Sequence, residues 1–333
     1  MNKYINPKNY FKAFTNYGPL ILSPFIKIYE KEKIEYFGNM PLKHDPLFII
    51  GAPRTGSTIL YQAMTNLYDV LYVDNLGCKF HRNFFFGIWL SNRIFTDQPH
   101  NNYISEHGDT SMSGMHAPSE CGQFWYRWLP EKHHFIDYDE ITDEMIKQIQ
   151  NEVSAVINYF DKPILFKNLN AGQRLRLIQK CFPNAKFLYI KRSPFFVVQS
   201  ILKARAEKKI LHNELWSIKP PNYKSLLSLD EVSMVTAQVY YLEKQIEKDI
   251  SLFNKKNVFA FNYESMTTNF ADFLSKLEKR LNLPPINKCK IEKMLPNITF
   301  NNRVTVNKEL ANTINDALKK FRWDGNHFET KIS

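Results

Sequence analysis

Four short apolar runs punctuate the chain: Leu47–Ile50, Ile164–Phe166, Lys186–Ile190 and Val258–Phe261. Each is continuous rather than alternating, the pattern of a strand buried on both faces. Between them apolar residues return at helical spacing, over Thr58–Leu67, Ile141–Phe160, Gln173–Cys181, Phe195–Lys209 and Glu231–Phe253. Ser228 and Glu231 have capping-box spacing at the start of the last of these. Strands alternating with helices predict an α/β fold of three layers, a central parallel sheet flanked by helices. Ligands of such sheets bind at the carboxyl ends of the strands.

The remaining segments frame this unit. Residues 1–45 read as an N-terminal helical segment, with a helix over roughly Pro19–Lys33 that docks on the core or lies along a surface. Its apolar run, Gly18–Ile28, is interrupted by Pro24 and falls short of the ~20 residues that span a bilayer. Residues 46–285 form the main domain. Within it, Leu76–Glu131 shows no clear strand and is rich in aromatics, His, Gly and Ser. An insertion of that size, at about 76–131, suits an acceptor pocket or lid. Residues 286–333 are expected to pack on the same domain, with Trp323 as a late anchor.

The first strand runs into Gly51-Ala52-Pro53-Arg54-Thr55-Gly56-Ser57-Thr58. Strand, glycine-punctuated loop and helix start together make a phosphate cradle, because backbone N–H groups and a helix N-terminus converge there. The nucleoside-triphosphate loop is G-x-x-x-x-G-K-S/T. Gly51, Gly56 and the hydroxyl of Thr58 keep that frame, but Ser57 stands in the lysine position and Arg54 is the cation. The fold is thus P-loop-like, and the site suits a phosphate better than the β/γ chemistry of ATP. The third strand repeats the layout: Arg192 stands at its end, Ser193 and Pro194 read as N-cap and first helical residue, and Ser200 follows near the face of Ser193. Arg192 and Ser200 make a second anion site.

Together the two motifs resemble the donor-binding signatures of sulfotransferases that use 3′-phosphoadenosine 5′-phosphosulfate (PAPS). In that family a Pro-Arg/Lys-x-Gly-Ser/Thr-Ser/Thr loop holds the 5′-phosphosulfate. A strand-end Arg and a Ser eight residues later hold the 3′-phosphate. Arg54, Thr55, Gly56, Ser57 and Thr58 match the first, and Arg192 with Ser200 the second. Lys167-Asn168 through Arg174, with Phe182–Phe187, is similar to the lead-in of bacterial-type members. Asn262-Tyr263-Glu264-Ser265-Met266 resembles their Tyr-Glu-Asp-Leu strand end. The match spans roughly Pro46 to Pro285.

The resemblance implies transfer of a sulfuryl group from PAPS to a hydroxyl or amine, with 3′-phosphoadenosine 5′-phosphate (PAP) as product and no metal. A carbohydrate is the expected acceptor. Arg54, Ser57, Thr58 and Lys167 are placed to stabilise charge on the leaving phosphate. A general base must take the acceptor's proton. The insertion offers His81, His107, His116 and Glu120. Glu120 is preferred, because Pro118-Ser119-Glu120-Cys121-Gly122-Gln123-Phe124-Trp125 resembles a Pro-x-Glu-x-Gly-x-Phe-Trp stretch of bacterial members; His116 is next. His133 and His134 read as a surface pair. The aromatics Phe84, Phe85, Phe86, Trp89, Trp125, Tyr126 and Trp128 fit a core or a stacking pocket.

Composition narrows this little. At 44% hydrophobic with 26 Phe and 17 Tyr, 333 residues bury a large core. A net charge of +11, spread along the chain, favours anionic partners and leaves weak association with a membrane surface open. No metal-ligand spacing occurs, and Cys78, Cys121, Cys181 and Cys289 form no C-x-x-C pair. Free thiols and the lack of a signal-peptide pattern suggest a cytoplasmic setting. Two other classes stay open: a P-loop kinase or phosphotransferase, which Ser57 argues against, and a polyanion-binding module without catalysis. No nucleic-acid partner is expected.

Overall fold

The structure is a computed structural model that describes residues 7–96, 98–283 and 302–321, with side chains from Gly18 onward. Trp323 and Cys289 lie outside the described residues, as does the expected boundary at 285–286. Strands β1 (Leu47–Ile50), β2 (Leu165–Phe166), β3 (Lys186–Lys191) and β4 (Val258–Asn262) form a parallel sheet in the order β2-β1-β3-β4. Ile50 pairs with Tyr189, and Lys191 with Asn262. The four apolar runs are therefore the four strands of the sheet.

The helices in chain order are α1 (Pro7–Gly38), α2 (Ser57–Leu67), α3 (Asn75–Lys79), α4 (Phe84–Phe95), α5 (Gly122–Trp125) and α6 (Asp143–Phe160). They continue with α7 (Leu175–Cys181), α8 (Pro194–Glu207), α9 (Tyr223–Leu226), α10 (Glu231–Ile250), α11 (Tyr263–Thr268) and α12 (Phe270–Leu281). A last helix spans Lys308–Lys319. Alternate residues of β1 face opposite ways, which explains its unbroken apolar sequence. Phe48 and Ile50 pack with α4, α6 and α7, while Leu47 and Ile49 pack with α2 and α12. A third cluster joins α8, α10 and the last helix around Ala52, two residues past the end of β1.

The chain leaves β1 for β2 on one side and reaches β3 on the other. That reversal opens a crevice at the carboxyl ends of β1 and β3. The two strand ends are close: a Cβ on Gly51 would stand 2.4 Å from the Ile190 carbonyl oxygen. Any side chain at residue 51 would push them apart.

Several local expectations are corrected. α10 is capped by Asp230, whose carboxylate accepts from Ser233 N at 2.9 Å. Ser228 instead turns back to the Ser225 carbonyl, so the residue adjacent to the helix supplies the cap. Thr142 caps α6 in the same way, starting it later than the apolar periodicity predicts. The expected start of α7 at Gln173 is taken by a 3-10 turn, Leu169–Gln173. α1 runs through both Pro19 and Pro24. Its docked face supplies the reason: Glu30 is buried, and its carboxylate accepts from Asn83 Nδ2 (2.9 Å) and Phe86 N (3.1 Å). His134 is not on the surface; its buried Nδ1 accepts from Lys219 N at 2.8 Å, and burial holds it neutral with a pKa of about 4. His133 is half-buried, beside Glu140.

Candidate active site

The loop after β1 turns tightly before α2. Thr55 is fully buried and its hydroxyl donates to the Ala52 carbonyl at 2.9 Å, closing the turn from within. Arg54 takes φ 68°, a conformation that costs a non-glycine residue energy. Gly56, the residue before α2, takes φ 89°, and a Cβ there would sit 2.5 Å from the Tyr263 ring. Tyr263 thus floors the cradle. The first N–H groups of α2, whose first residue is Ser57, have no acceptor within the helix and point toward the crevice.

The two anion motifs meet. Arg54 Nε donates to Ser200 Oγ at 2.9 Å, and Arg192 Nη1 donates to the Arg54 carbonyl at 3.0 Å. The sequence alone had set Arg54 at one phosphate and Ser200 at the other. The arginines are close enough to oppose one another's charge. Burial is the main cause that lowers the pKa of Arg54, and the Arg192 charge is the second. A bound anion relieves both. Arg192 also stacks on Tyr263, 4.4 Å from the ring centre, and donates to Asn302 Oδ1 at 3.0 Å. Ser193 does not cap α8 with its side chain. Glu264 does so from α11, its carboxylate accepting from Ser193 N at 3.0 Å.

At the end of β2, Lys167 is buried to 3% exposure. Its ammonium donates to Thr58 Oγ1 at 3.0 Å and to the Glu120 carboxylate. Glu120 lies just ahead of α5, with its side chain 40% exposed. It is not a first-turn acid of that helix. Gly108 lies over the trio: a Cβ there would be 3.3 Å from Thr58 Oγ1, 3.8 Å from Glu120 Oε1 and 3.9 Å from Lys167 Nζ.

Two cavities meet at this point. One, of about 270 Å³, runs over Arg54, Gly56, Ser57, Thr58, Lys167 and Arg192. The other, of about 800 Å³, is walled by the insertion and by Leu20 of α1, with Cys78, His81, Thr110, Met115 and Gln123 among its lining. His107, Gly108 and Glu120 line both. Cys78 and Cys121, distant in sequence, meet in this wall, and their hydrogen bond lowers the pKa of Cys78. Among the described residues no group of three or more His, Cys, Asp or Glu could hold a metal ion.

The candidates therefore divide. Arg54, Gly56, Ser57, Thr58, Arg192, Ser200, Lys167 and Glu120 are brought together. His81 borders the larger cavity. His116 lies in a separate pocket, stacked on Phe95 at 4.1 Å and hydrogen-bonded to Tyr72 at 2.8 Å. Phe84, Phe85 and Trp125 are core, and none of the seven named aromatics lines the larger cavity. No site role was expected for Tyr263 or Trp216, which line the smaller cavity; His107, one of the four candidate bases, lines both cavities, with its Nε2 2.9 Å from Glu207 Oε2 of α8. The resemblance at 262–266 was the available signal for Tyr263.

Comparison with known proteins bears on the family and the fold. At 22% identity over 261 residues, the chain is similar to the omega-hydroxy-beta-dihydromenaquinone-9 sulfotransferase Stf3 of Mycobacterium bovis and of Mycobacterium tuberculosis. The match covers 72% of this chain and 63% of those relatives. The fold is similar to that of sulfotransferase STF1 from Mycobacterium tuberculosis, at TM-score 0.53 and 11% identity over 94% of this chain and 86% of that one. It is also similar to STF9 from Mycobacterium avium, at TM-score 0.51 and 14% identity over 89% and 81%. The sequence profile of the sulfotransferase family matches residues 46–287, and the chain belongs to that family.

Proposed function

We propose that this protein transfers a sulfuryl group from PAPS to a hydroxyl on a lipid-borne acceptor. The observation that carries the reading is the chain of contacts from Thr58 through Lys167 to Glu120, at the junction of the two cavities. The smaller cavity has the chemistry of a donor site. It offers helix N–H groups, hydroxyls at Ser57 and Thr58, and two arginines whose charges oppose each other until an anion arrives. Arg54 with the loop would hold the phosphosulfate, and Arg192 with Ser200 the 3′-phosphate. Their direct contact makes one continuous anion site of the two.

PAPS supplies an activated sulfur bonded to a phosphate oxygen. As the acceptor oxygen bonds to that sulfur, Glu120 takes the hydroxyl proton. The sulfur–oxygen bond to phosphate breaks, and its electron pair stays on PAP. Lys167 and the loop donors meet the charge that develops there. Lys167 also orients the Glu120 carboxylate. The family needs no metal for this step.

The acceptor was first expected to be a carbohydrate. Polar groups such as Asn75, Thr110 and Gln123 in the larger cavity suit a hydroxyl-bearing head. Leu20 and Met115 give the same cavity apolar sides, and Met112 nearby is 94% exposed. The curated relatives are named for a hydroxylated menaquinone, a hydroxyl on a long apolar chain. These together favour a lipid alcohol over a free sugar. The test is transfer of radiolabelled sulfate from PAPS to a panel of soluble sugars and detergent-dispersed isoprenoid alcohols. Label on the isoprenoid alcohols supports the reading; label on sugars alone overturns its acceptor.

A further inference from the structure

The first helix presents two opposed faces. Ser23 and Glu30 are buried, and Asn83 binds both, donating to the Ser23 carbonyl at 3.2 Å and to Glu30 Oε1 at 2.9 Å. Ile34 and Phe37 continue that row onto the main core. On the opposite face Ile21, Phe25 and Ile28 follow at i, i+4 and i+7, which stacks them on one stripe. They are 70%, 71% and 76% exposed, and Leu22 and Tyr29 flank them. A helix that needed only to cover the core would carry polar residues there.

Two further observations say what covers this stripe. Leu20, on the same helix but between its two faces, lines the large cavity that Glu120 also lines, so the helix carrying the stripe borders the acceptor site. Lys27 and Lys31 lie along one edge of it, both exposed, with Lys31 3.8 Å from Glu35 and with Glu32 ending the stripe one turn after Ile28, on a chain of net charge +11. Apolar residues edged by lysines match the surface of a bilayer that contains anionic lipid. Among the described residues no helix is long and apolar enough to cross a membrane, so the contact is with the surface.

We infer that α1 is a membrane-docking helix, seating Ile21, Phe25 and Ile28 among lipid chains so that a lipid alcohol enters the large cavity past Leu20. The inference rests on the lipid-acceptor reading above. Docking removes most of the search from acceptor capture, since the substrate is already concentrated at the mouth. It also keeps the polar donor cleft outside the bilayer.

The test is co-sedimentation of the full chain with vesicles of mixed phosphatidylglycerol and phosphatidylcholine, without donor or acceptor. The wild type is expected to sediment, and less with phosphatidylcholine alone. The variant I21S/F25S/I28S should lose about tenfold or more in partitioning. K27Q/K31Q should lose several-fold, only on anionic vesicles. PAP affinity unchanged in both variants shows that they are folded. A wild type that stays in the supernatant overturns the proposal, as does a triple variant that sediments like wild type. A wild-type dimer that the triple variant breaks, with no change in sedimentation, assigns the stripe to a second copy and also overturns it. Turnover of a soluble short-chain isoprenoid alcohol, measured without vesicles, separates the two claims. Turnover without docking leaves the acceptor standing and removes this inference; docking without turnover does the reverse.

Discussion

Lys167 donates from a buried strand end to the Glu120 carboxylate, which belongs to the insertion. One contact thus joins the sheet, which carries the donor loop, to the segment that walls the acceptor cavity. If Glu120 is the base, Glu120→Gln should lower turnover by ~10²–10⁴ and leave PAP affinity within a few-fold of wild type. Steady-state kinetics and calorimetry check this. Unchanged turnover would pass the role to His107 or His81, which also border the larger cavity.

Arg54 and Ser200 give the second prediction. Arg54→Ala removes a charged donor from both the loop and the Ser200 hydroxyl. PAP binding should weaken by about 1.5–3 kcal/mol, the range for hydrogen bonds to charged groups. Ser200→Ala should weaken it by about 1 kcal/mol. Equal losses for adenosine 5′-phosphate and PAP in Ser200→Ala would remove the 3′-phosphate assignment.

Gly56→Ala tests the cradle itself. The added methyl meets the Tyr263 ring, and the φ of 89° penalises any side chain. Stability should fall by ~1–3 kcal/mol, read as a lower urea midpoint, and PAP binding should fall with it. Replacing Tyr263 by Leu in the same chain should restore part of the stability by relieving the contact. It should not restore PAP affinity, since Arg192 then loses its stacking surface. A Gly56→Ala variant as stable as wild type would mean that the loop packs differently.

The buried Glu30 predicts a pH dependence. Burial raises its pKa from 4.5 to about 7, against the hydrogen bonds from Asn83 and Phe86 that lower it. The folded value lies above the unfolded one, so the folded state holds the extra proton. This contribution to stability is complete below about pH 4.5 and is lost as pH rises through about 7. A shift of this size corresponds to roughly 3 kcal/mol. Urea titrations from pH 5 to pH 8 should show stability falling, with a shallower fall in Glu30→Gln. Asp74, raised to about 6 by burial, adds to the fall in both proteins. Parallel curves for the two proteins would exclude Glu30 as the source.

Much of the fold was legible because β1, β2 and β3 are buried on both faces and so appear as unbroken apolar runs; β4, at the sheet edge, is only half-buried with Ala260 exposed, although its run predicted a fully buried strand. The donor loop was legible because its residues are contiguous, and contiguity fixes local geometry. What the sequence could not show arises from contacts between distant segments. Arg54 meets Ser200, and Lys167 meets Glu120, across long stretches of chain. Tyr263 and Glu264 act through space, as a floor for Gly56 and a cap for α8. His116 resembled a catalytic histidine in sequence, yet its ring packs on Phe95 in a different pocket. Helical spacing left the aromatic cluster open between core and stacking pocket, and Phe84 and Trp125 pack as core against Phe166 and Phe48. Helix starts were misread where a neighbouring Asp or Thr caps better than the predicted residue.

The most direct test of the central claim, one continuous PAPS site built from Arg54, Arg192 and the loop, is calorimetric titration of PAP in the presence of EDTA. The account predicts binding at micromolar strength that chelator does not change, and that Arg54→Ala and Arg192→Ala each weaken. Tight binding of Mg-ATP with no response to PAP would contradict it.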